Sequence, residues 1–206
     1  MSAGLVIGLT GGMASGKTTV AAMLRQCGCR VLDVDRVGHQ ALAKKTPCYR
    51  KLIQAFGREI CDTAGRIDRR RLAEAAFKNK AKYGLLCRIV HPWISKRLAQ
   101  EVVKFRQQRQ PGILVLEAAM LLEAGWHSQV DQVVLVIAGR LRQLQRVRRS
   151  ERMSLAQARQ RLAFQWPDGR KRQYADHIIE NCNTVTDTRR QVRRLWRHWQ
   201  DRRDGP

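Results

Sequence analysis

The chain has 206 residues, and 40 lysines and arginines against 17 aspartates and glutamates leave a formal charge of +23. That length makes one domain with a real core and room for a lid or small insert. No apolar run approaches the ~18 residues of a membrane span, which excludes a membrane protein, while the charge favours anionic partners. The first element is "LVIGLT" (5–10), a short apolar run of buried-strand type. The opening "MSAGLVIGLTGG" therefore reads as strand plus loop rather than as a secretory leader. Next, Gly11-Gly12-Met13-Ala14-Ser15-Gly16-Lys17-Thr18 fits the phosphate-loop pattern G-x-x-x-x-G-K-[ST] at every fixed position. Val20, Met23, Leu24 and Cys27 then recur at helical spacing. A glycine turn carrying a lysine has many uses, but strand, loop and helix in this order specify phosphate binding. The loop N–H groups and the helix dipole hold a polyphosphate. Lys17 reaches the β- and γ-phosphates, and the Thr18 hydroxyl serves magnesium. The motif thus predicts a nucleoside triphosphate site.

Four further apolar runs predict strands at "RVLDVD" (30–35), the first half of "GILVLEAAMLL" (112–122), "QVVLVIA" (132–138) and "HIIEN" (177–181). Helical patterns between them predict a parallel, doubly wound α/β sheet. Residues 36–111 break this rhythm with helical pieces at 69–79, 82–90 and 93–109, and form a helical insert between the second and third strands. "NKAK" (79–82) is not a guanine-recognition signature, because Lys82 stands where an acceptor carboxylate is needed. The six cysteines (27, 29, 48, 61, 87, 182) have no metal-binding spacing and read as reduced, mostly buried thiols of a cytoplasmic protein. In "RRQVRRLWRHWQDRR", Val192, Leu195, Trp196 and Trp199 make one apolar stripe, so this is a helix that docks on the core and turns its arginines outward.

Ligands of such sheets sit beyond the carboxyl ends of the strands. Asp33 and Asp35 lie where the second strand ends and, at period two, point to one side; one of them is placed to take a proton from an acceptor hydroxyl. Both also suit the cap of a following helix. Glu117 closes the third strand and is either a metal-side carboxylate or a salt-bridge partner. In the arginine-dense run 141–154, Arg146 is the first candidate to stabilise charge on a transferred phosphoryl group, with Arg161 on the next helix second.

These motifs, taken in order, resemble those of the dephospho-coenzyme A kinase family over residues 7–181. "GLTGGMASGKTTVA" is similar to its loop and "VLDVD" to its Asp-x-Asp strand. "AFG" (55–57), "GRIDRRRL" (65–72) and "HPWI" (91–94) resemble its helical substrate domain. "EAAMLLEAG" (117–125), "RLAFQ" (161–165) and "ADHIIEN" (175–181) resemble its third-strand segment, lid helix and last strand. The resemblance implies an α/β P-loop NTPase fold, with an adenylate-kinase-like five-stranded parallel sheet, a helical coenzyme-binding insert (about 36–111) and a lid (about 141–172). The nucleotide core is then 1–35 with 112–206, all within one kinase domain spanning 1–206.

It further implies transfer of the ATP γ-phosphate to the ribose 3′-hydroxyl of dephospho-coenzyme A by a cytoplasmic monomer. ATP contacts fall on Gly11 through Thr18, on Thr19, and on Asn181 near the adenine; Thr18 and Glu117 serve Mg²⁺. Lys17, Asp35 and Arg146 are the implied catalytic set, with Asp35 as general base. Asp33, Asp35, His91 and Arg161 are implied on the acceptor side; His91 is equally placed to introduce a helix begun by Pro92. Three positions depart from the family pattern: Glu117 replaces an aspartate, Ala119 a proline, and Ser150 a lid arginine, with Arg149 and Arg152 nearby. The charge of +23 exceeds what a phosphate-rich substrate needs. A different small-molecule kinase and a nucleic-acid-stimulated ATPase are the rival readings; in the kinase reading nucleic acid is not required, and the basic surface binds it weakly at most.

Overall fold

The computed structural model describes residues 4–109, 112–149 and 154–204. Its apolar runs form a five-stranded, all-parallel sheet of β1 (Leu5–Thr10), β2 (Arg30–Asp33), β3 (Ile113–Glu117), β4 (Gln132–Ile137) and β5 (His177–Glu180), in the order β2-β3-β1-β4-β5. The helices are α1 (Lys17–Gln26), α2 (Val34–Gln40), α3 (Pro47–Phe56), α4 (Arg69–Ala76), α5 (Lys80–Arg106), α6 (Arg140–Arg149), α7 (Leu155–Leu162), α8 (Asp168–Arg172) and α9 (Val185–Asp204). Among them, no helix is long and apolar enough to cross a membrane. The chain divides into two compact units, Met1–Asp33 with Glu101–Pro206, and Val34–Gln100. These boundaries fall two residues before the predicted start of the insert and eleven before its predicted end, because α5 runs through the second boundary.

In the first unit, β1, β3 and β4 are the central strands, and nearly every residue in them is buried, as their unbroken hydrophobic runs require. The register places Leu9 beside Glu117 and Glu117 beside Asp33, so the carboxylates of two neighbouring strands end level with each other. Helices α1 and α9 pack together and share one apolar cluster with the sheet, made by Val20, Leu24, Ile7, Val134, Val192 and Trp199 among others. The predicted stripe on α9 is the buried one: Val192, Leu195 and Trp199 are enclosed and Trp196 is half-buried. The helix starts with a reciprocal cap. Thr184 Oγ1 accepts from the Asp187 N–H at 3.1 Å, and Asp187 Oδ2 accepts from the Thr184 hydroxyl at 2.8 Å and from its N–H at 3.3 Å. Trp199 anchors the far end, with its indole N–H donating to Gln132 Oε1 at 2.8 Å.

The second unit is helical apart from one isolated antiparallel bridge between Cys61 and Ile67. Thr46 caps α3, its hydroxyl accepting from the Tyr49 N–H at 3.1 Å with Pro47 at the first helical position. Asp68 caps α4 by accepting from the N–H groups of Arg70 and Arg71.

Three local expectations are corrected. The second strand stops at Asp33 and the chain turns at once into α2, so Asp35 lies in the first turn of a helix and the period-two argument for Asp33 and Asp35 fails. An aspartate there is favoured by the helix dipole. The two helices predicted on either side of Pro92 are one 27-residue helix with the proline inside, so His91 does not introduce a helix. An interior proline removes one helical N–H and its ring presses on the carbonyl four residues back, a cost that the turns on both sides of Pro92 outweigh. None of the six cysteines is in a disulfide, but only Cys29 and Cys48 are buried, and the other four are half-buried.

Two predictions follow the packing. Trp199→Ala removes a fully buried indole and should lower unfolding free energy by about 3–5 kcal/mol, read as a shift in urea midpoint. Burial of His91 depresses its imidazole pKa, so between the folded and unfolded values the unfolded chain binds more protons and stability rises with pH. Acidification through the ordinary histidine range should therefore destabilise the wild type more than His91→Gln, measured by urea titration at neutral and mildly acid pH.

Candidate active site

The phosphate loop runs from the end of β1 to the start of α1, and its backbone is fixed by close neighbours. Gly16 lies just before α1 with φ +94°, and a Cβ there would fall 1.9 Å from Asn181 Nδ2. Gly11 has φ +153°, and a Cβ there would fall 2.3 Å from the carbonyl oxygen of Val136. Both glycines are thus demanded twice, by backbone conformation and by lack of room. Ala14 takes a positive φ without being glycine, which marks the same tight turn.

Side chains from the carboxyl ends of the sheet then hold the loop. Asn181, the residue after β5, donates from Nδ2 to the Ser15 carbonyl at 2.8 Å, and its Oδ1 accepts from the buried Thr188 hydroxyl at 3.0 Å. Arg146 on α6 donates from one terminal nitrogen to the carbonyls of Ala14 and Ser15, both at 3.1 Å. Its other terminal nitrogen donates to the Asn181 carbonyl at 3.0 Å. Gln165 accepts from the Met13 N–H at 3.0 Å. Arg146 is therefore engaged by loop carbonyls. Arg161 is half-buried in the last turn of α7, four residues before Gln165. Ser150 and Arg152 lie outside the described residues.

On the loop itself, Lys17 Nζ donates to the carbonyls of Gly11 at 3.0 Å and Gly12 at 3.4 Å. The Thr18 hydroxyl donates to Glu117 Oε1 at 2.8 Å. Glu117 is a buried carboxyl whose pKa is raised above the ordinary range, first by burial and then by the neighbouring Asp33, against the lowering effects of the Thr18 hydroxyl and the Lys17 ammonium. A hydroxyl and carboxylates with a lysine alongside form a hard oxygen set of the kind that suits magnesium. Ser15 Oγ is buried in the loop and has no hydrogen-bond partner among the described residues.

The structure thus brings together Lys17, Thr18, Glu117, Asp33, Arg146 and Asn181. Thr19 is exposed in the first turn of α1. Asp35, exposed at the start of α2, and His91, half-buried in α5, belong to the helical unit.

Three residues carry contacts that were not assigned from sequence. Gln165 is one. The others are Glu123 and Lys171, a buried ion pair at 3.0 Å. Lys171 also donates to the Ala119 carbonyl at 3.1 Å, and Glu123 Oε1 accepts from the Trp166 N–H at 2.8 Å. This ties the segment after β3 to the chain leaving α7, one residue from the Gln165 contact with the loop. The Glu123 and Gln165 segments were legible as motifs, but a pairing across 48 residues has no local periodicity to announce it.

Comparison with known proteins agrees with this geometry. A family model described as dephospho-CoA kinase matches residues 5–187. A dephospho-CoA kinase of Geobacter metallireducens is 37% identical over 193 residues, covering 94% of this chain and 96% of the relative. A crystal structure of a Thermus thermophilus protein superposes with a TM-score of 0.78 at 30% identity, over 95% of this chain and 98% of that one. A dephospho-CoA kinase from Campylobacter jejuni shares the fold with a TM-score of 0.69 at 23% identity, over 97% and 98% of the two chains. With the phosphate loop, the level carboxylates and the sheet order all in place across the matched length, the chain belongs to the dephospho-CoA kinase family.

Proposed function

We propose that Asp35, Lys17, Thr18, Glu117 and Arg146 carry out the family's reaction here, phosphorylation of the 3′-hydroxyl of dephospho-coenzyme A by ATP to give coenzyme A. The observation that carries this reading is the meeting of Lys17 and Thr18 with Glu117 and Asp33 at one end of the sheet. The loop N–H groups and the α1 dipole bind the triphosphate, while the Lys17 ammonium leaves the loop carbonyls for the β- and γ-phosphates. Thr18 and Glu117 are the residues that would hold Mg²⁺, which supplies charge neutralisation across those phosphates. Asp35 takes the proton of the 3′-hydroxyl as its oxygen bonds to the γ-phosphorus, and the bond to the bridging oxygen breaks to release ADP. What supports Asp35 is its exposed carboxylate, two residues along the chain from Asp33, at the N-terminus of α2.

Arg146 acts through the loop. Its guanidinium bonds hold the carbonyls of Ala14 and Ser15 turned away, which leaves the phosphates the loop N–H groups that are not bonded to Gln165 or to the Gly12 carbonyl, and its charge remains beside them. Asn181 shares this positioning role from the far side of Gly16, next to the place the family resemblance gives to adenine. Asp33 and Arg161, and Asp35 and His91 of the helical unit, are the residues proposed to serve the acceptor. The protein is proposed to act in the cytoplasm as a monomer.

Asp35→Asn should leave ATP binding nearly intact and slow coenzyme A formation by at least ~100-fold, the range for loss of a general base; a normal rate in that variant removes Asp35 from the mechanism. Lys17→Ala should weaken ATP binding and turnover together, measured by nucleotide titration alongside a coupled ADP assay. If Arg146 positions the loop, Arg146→Lys should raise the KM for ATP while leaving that for the acceptor unchanged, because a single ammonium cannot replace three fixed contacts.

A further inference from the structure

The kinase reading leaves one feature unused, the arginine row on α9. Arg189, Arg190, Arg193, Arg194 and Arg197 are all exposed. At 3.6 residues per turn they occupy an arc of about 140°, centred opposite the arc formed by Thr188, Val192, Leu195 and Trp199, and those four are buried. The helix is therefore rigidly seated by one face and presents the other as a fixed cationic ridge. Arg190 pairs with Asp187, at the start of the ridge. Arg189, Arg193, Arg194 and Arg197 make no ion pair among the described residues. Asp201, exposed one turn beyond Arg197, ends the ridge on the other side. His198 is turned to the edge of the helix, where its ring meets that of His177.

We propose that this face of α9 is a docking surface for the phosphodiester backbone of a nucleic acid, bound without base readout. From Arg189 to Arg197 the ridge is about 12 Å long at 1.5 Å per residue. A duplex carries one phosphate per ~1.7 Å of its axis, so about seven phosphates lie alongside. Arginine presents a planar fork that bonds phosphate through two N–H groups, and several forks in register suit a regularly spaced polyanion. A lipid surface is the poorer match: a helix lying on a membrane needs an apolar face to insert, and here the apolar face is enclosed in the core. None of these arginines has a side-chain bond to the phosphate loop among the described residues, and the proposal does not depend on the assignment of the acceptor.

The test uses the full chain and a fluorescently labelled DNA duplex, with affinity measured by anisotropy between about 50 and 200 mM salt. The wild type should bind with a steep salt dependence. Replacing Arg189, Arg193, Arg194 and Arg197 together by Gln should lower affinity at least ~10-fold at the low-salt end and flatten the log–log slope by about 3 to 4, near 0.9 for each lost phosphate contact. The same four positions changed to Lys should keep most of that slope, and single Arg193→Gln should flatten it by about 1. Thermal unfolding and kinase turnover should be unchanged in all of these variants. Lys78, Lys80, Lys82 and Lys96, exposed in the helical unit, changed together to Gln make the charge-matched control. An unchanged slope in the α9 variant overturns the proposal. So does an equal loss in the lysine control, which makes the binding a property of net charge. Tighter binding to phosphatidylserine vesicles than to the duplex at the same salt also overturns it.

Discussion

The close approach of the sheet's carboxyl ends to the phosphate loop governs the rest of this structure. The Val136 carbonyl leaves no room for a side chain at Gly11, and the Asn181 amide leaves none at Gly16. Once these contacts fill the back of the loop, the carbonyls of Ala14 and Ser15 are taken by Arg146 and Asn181, and the N–H groups not already bonded to Gln165 or to the Gly12 carbonyl are left for an anion. Anion binding here is a property of backbone shape, and the shape is enforced from β4, β5 and α6. The two elements that supply it from sequence, the loop and α1, do not fix it alone.

Electrostatics in the site work on the same scaffold. Parallel pairing puts Asp33 and Glu117 level on adjacent strands, and β1 carries the chain to the loop between β3 and β4. Negative charge collected at a strand end is costly without cations, which is why Glu117 is held above the ordinary carboxylate range by burial and by Asp33. Lys17 and the Thr18 hydroxyl offset part of that cost. The Glu117 side chain is long enough to reach this hydroxyl at 2.8 Å.

A second buried charge pair performs a different task. Glu123 and Lys171 are enclosed on all sides, and such a pair adds little stability over an apolar one of equal volume. What it supplies is direction. The carboxylate fixes the Trp166 N–H and the ammonium fixes the Ala119 carbonyl, so the chain leaving α7 can bring Gln165 to the loop in one register.

Much of this was legible in the sequence, for physical reasons that can be named. The buried central strands β1, β3 and β4 must be unbroken apolar runs, and the edge strands β2 and β5 still carry the apolar pairs Val31-Leu32 and Ile178-Ile179, so all five were visible, and G-x-x-x-x-G-K-[ST] between a strand and a helix has one structural meaning. The α9 stripe obeyed a 3.6-residue period and was buried where the period placed it. Local signals failed where two periodicities met. The end of β2 reads as strand through Asp35, but the chain turns at Val34 into a helix, and Pro92 reads as a helix start although it lies within α5. Tertiary structure alone decided the pairings that have no sequence period: Arg146 on the loop carbonyls, Gln165 on Met13, Asn181 against Gly16, and Glu123 with Lys171. A sequence determines which residues can bind phosphate, because chemistry and local conformation are written residue by residue. Which way a side chain is directed depends on neighbours tens to hundreds of residues away, and only the packed sheet sets those distances.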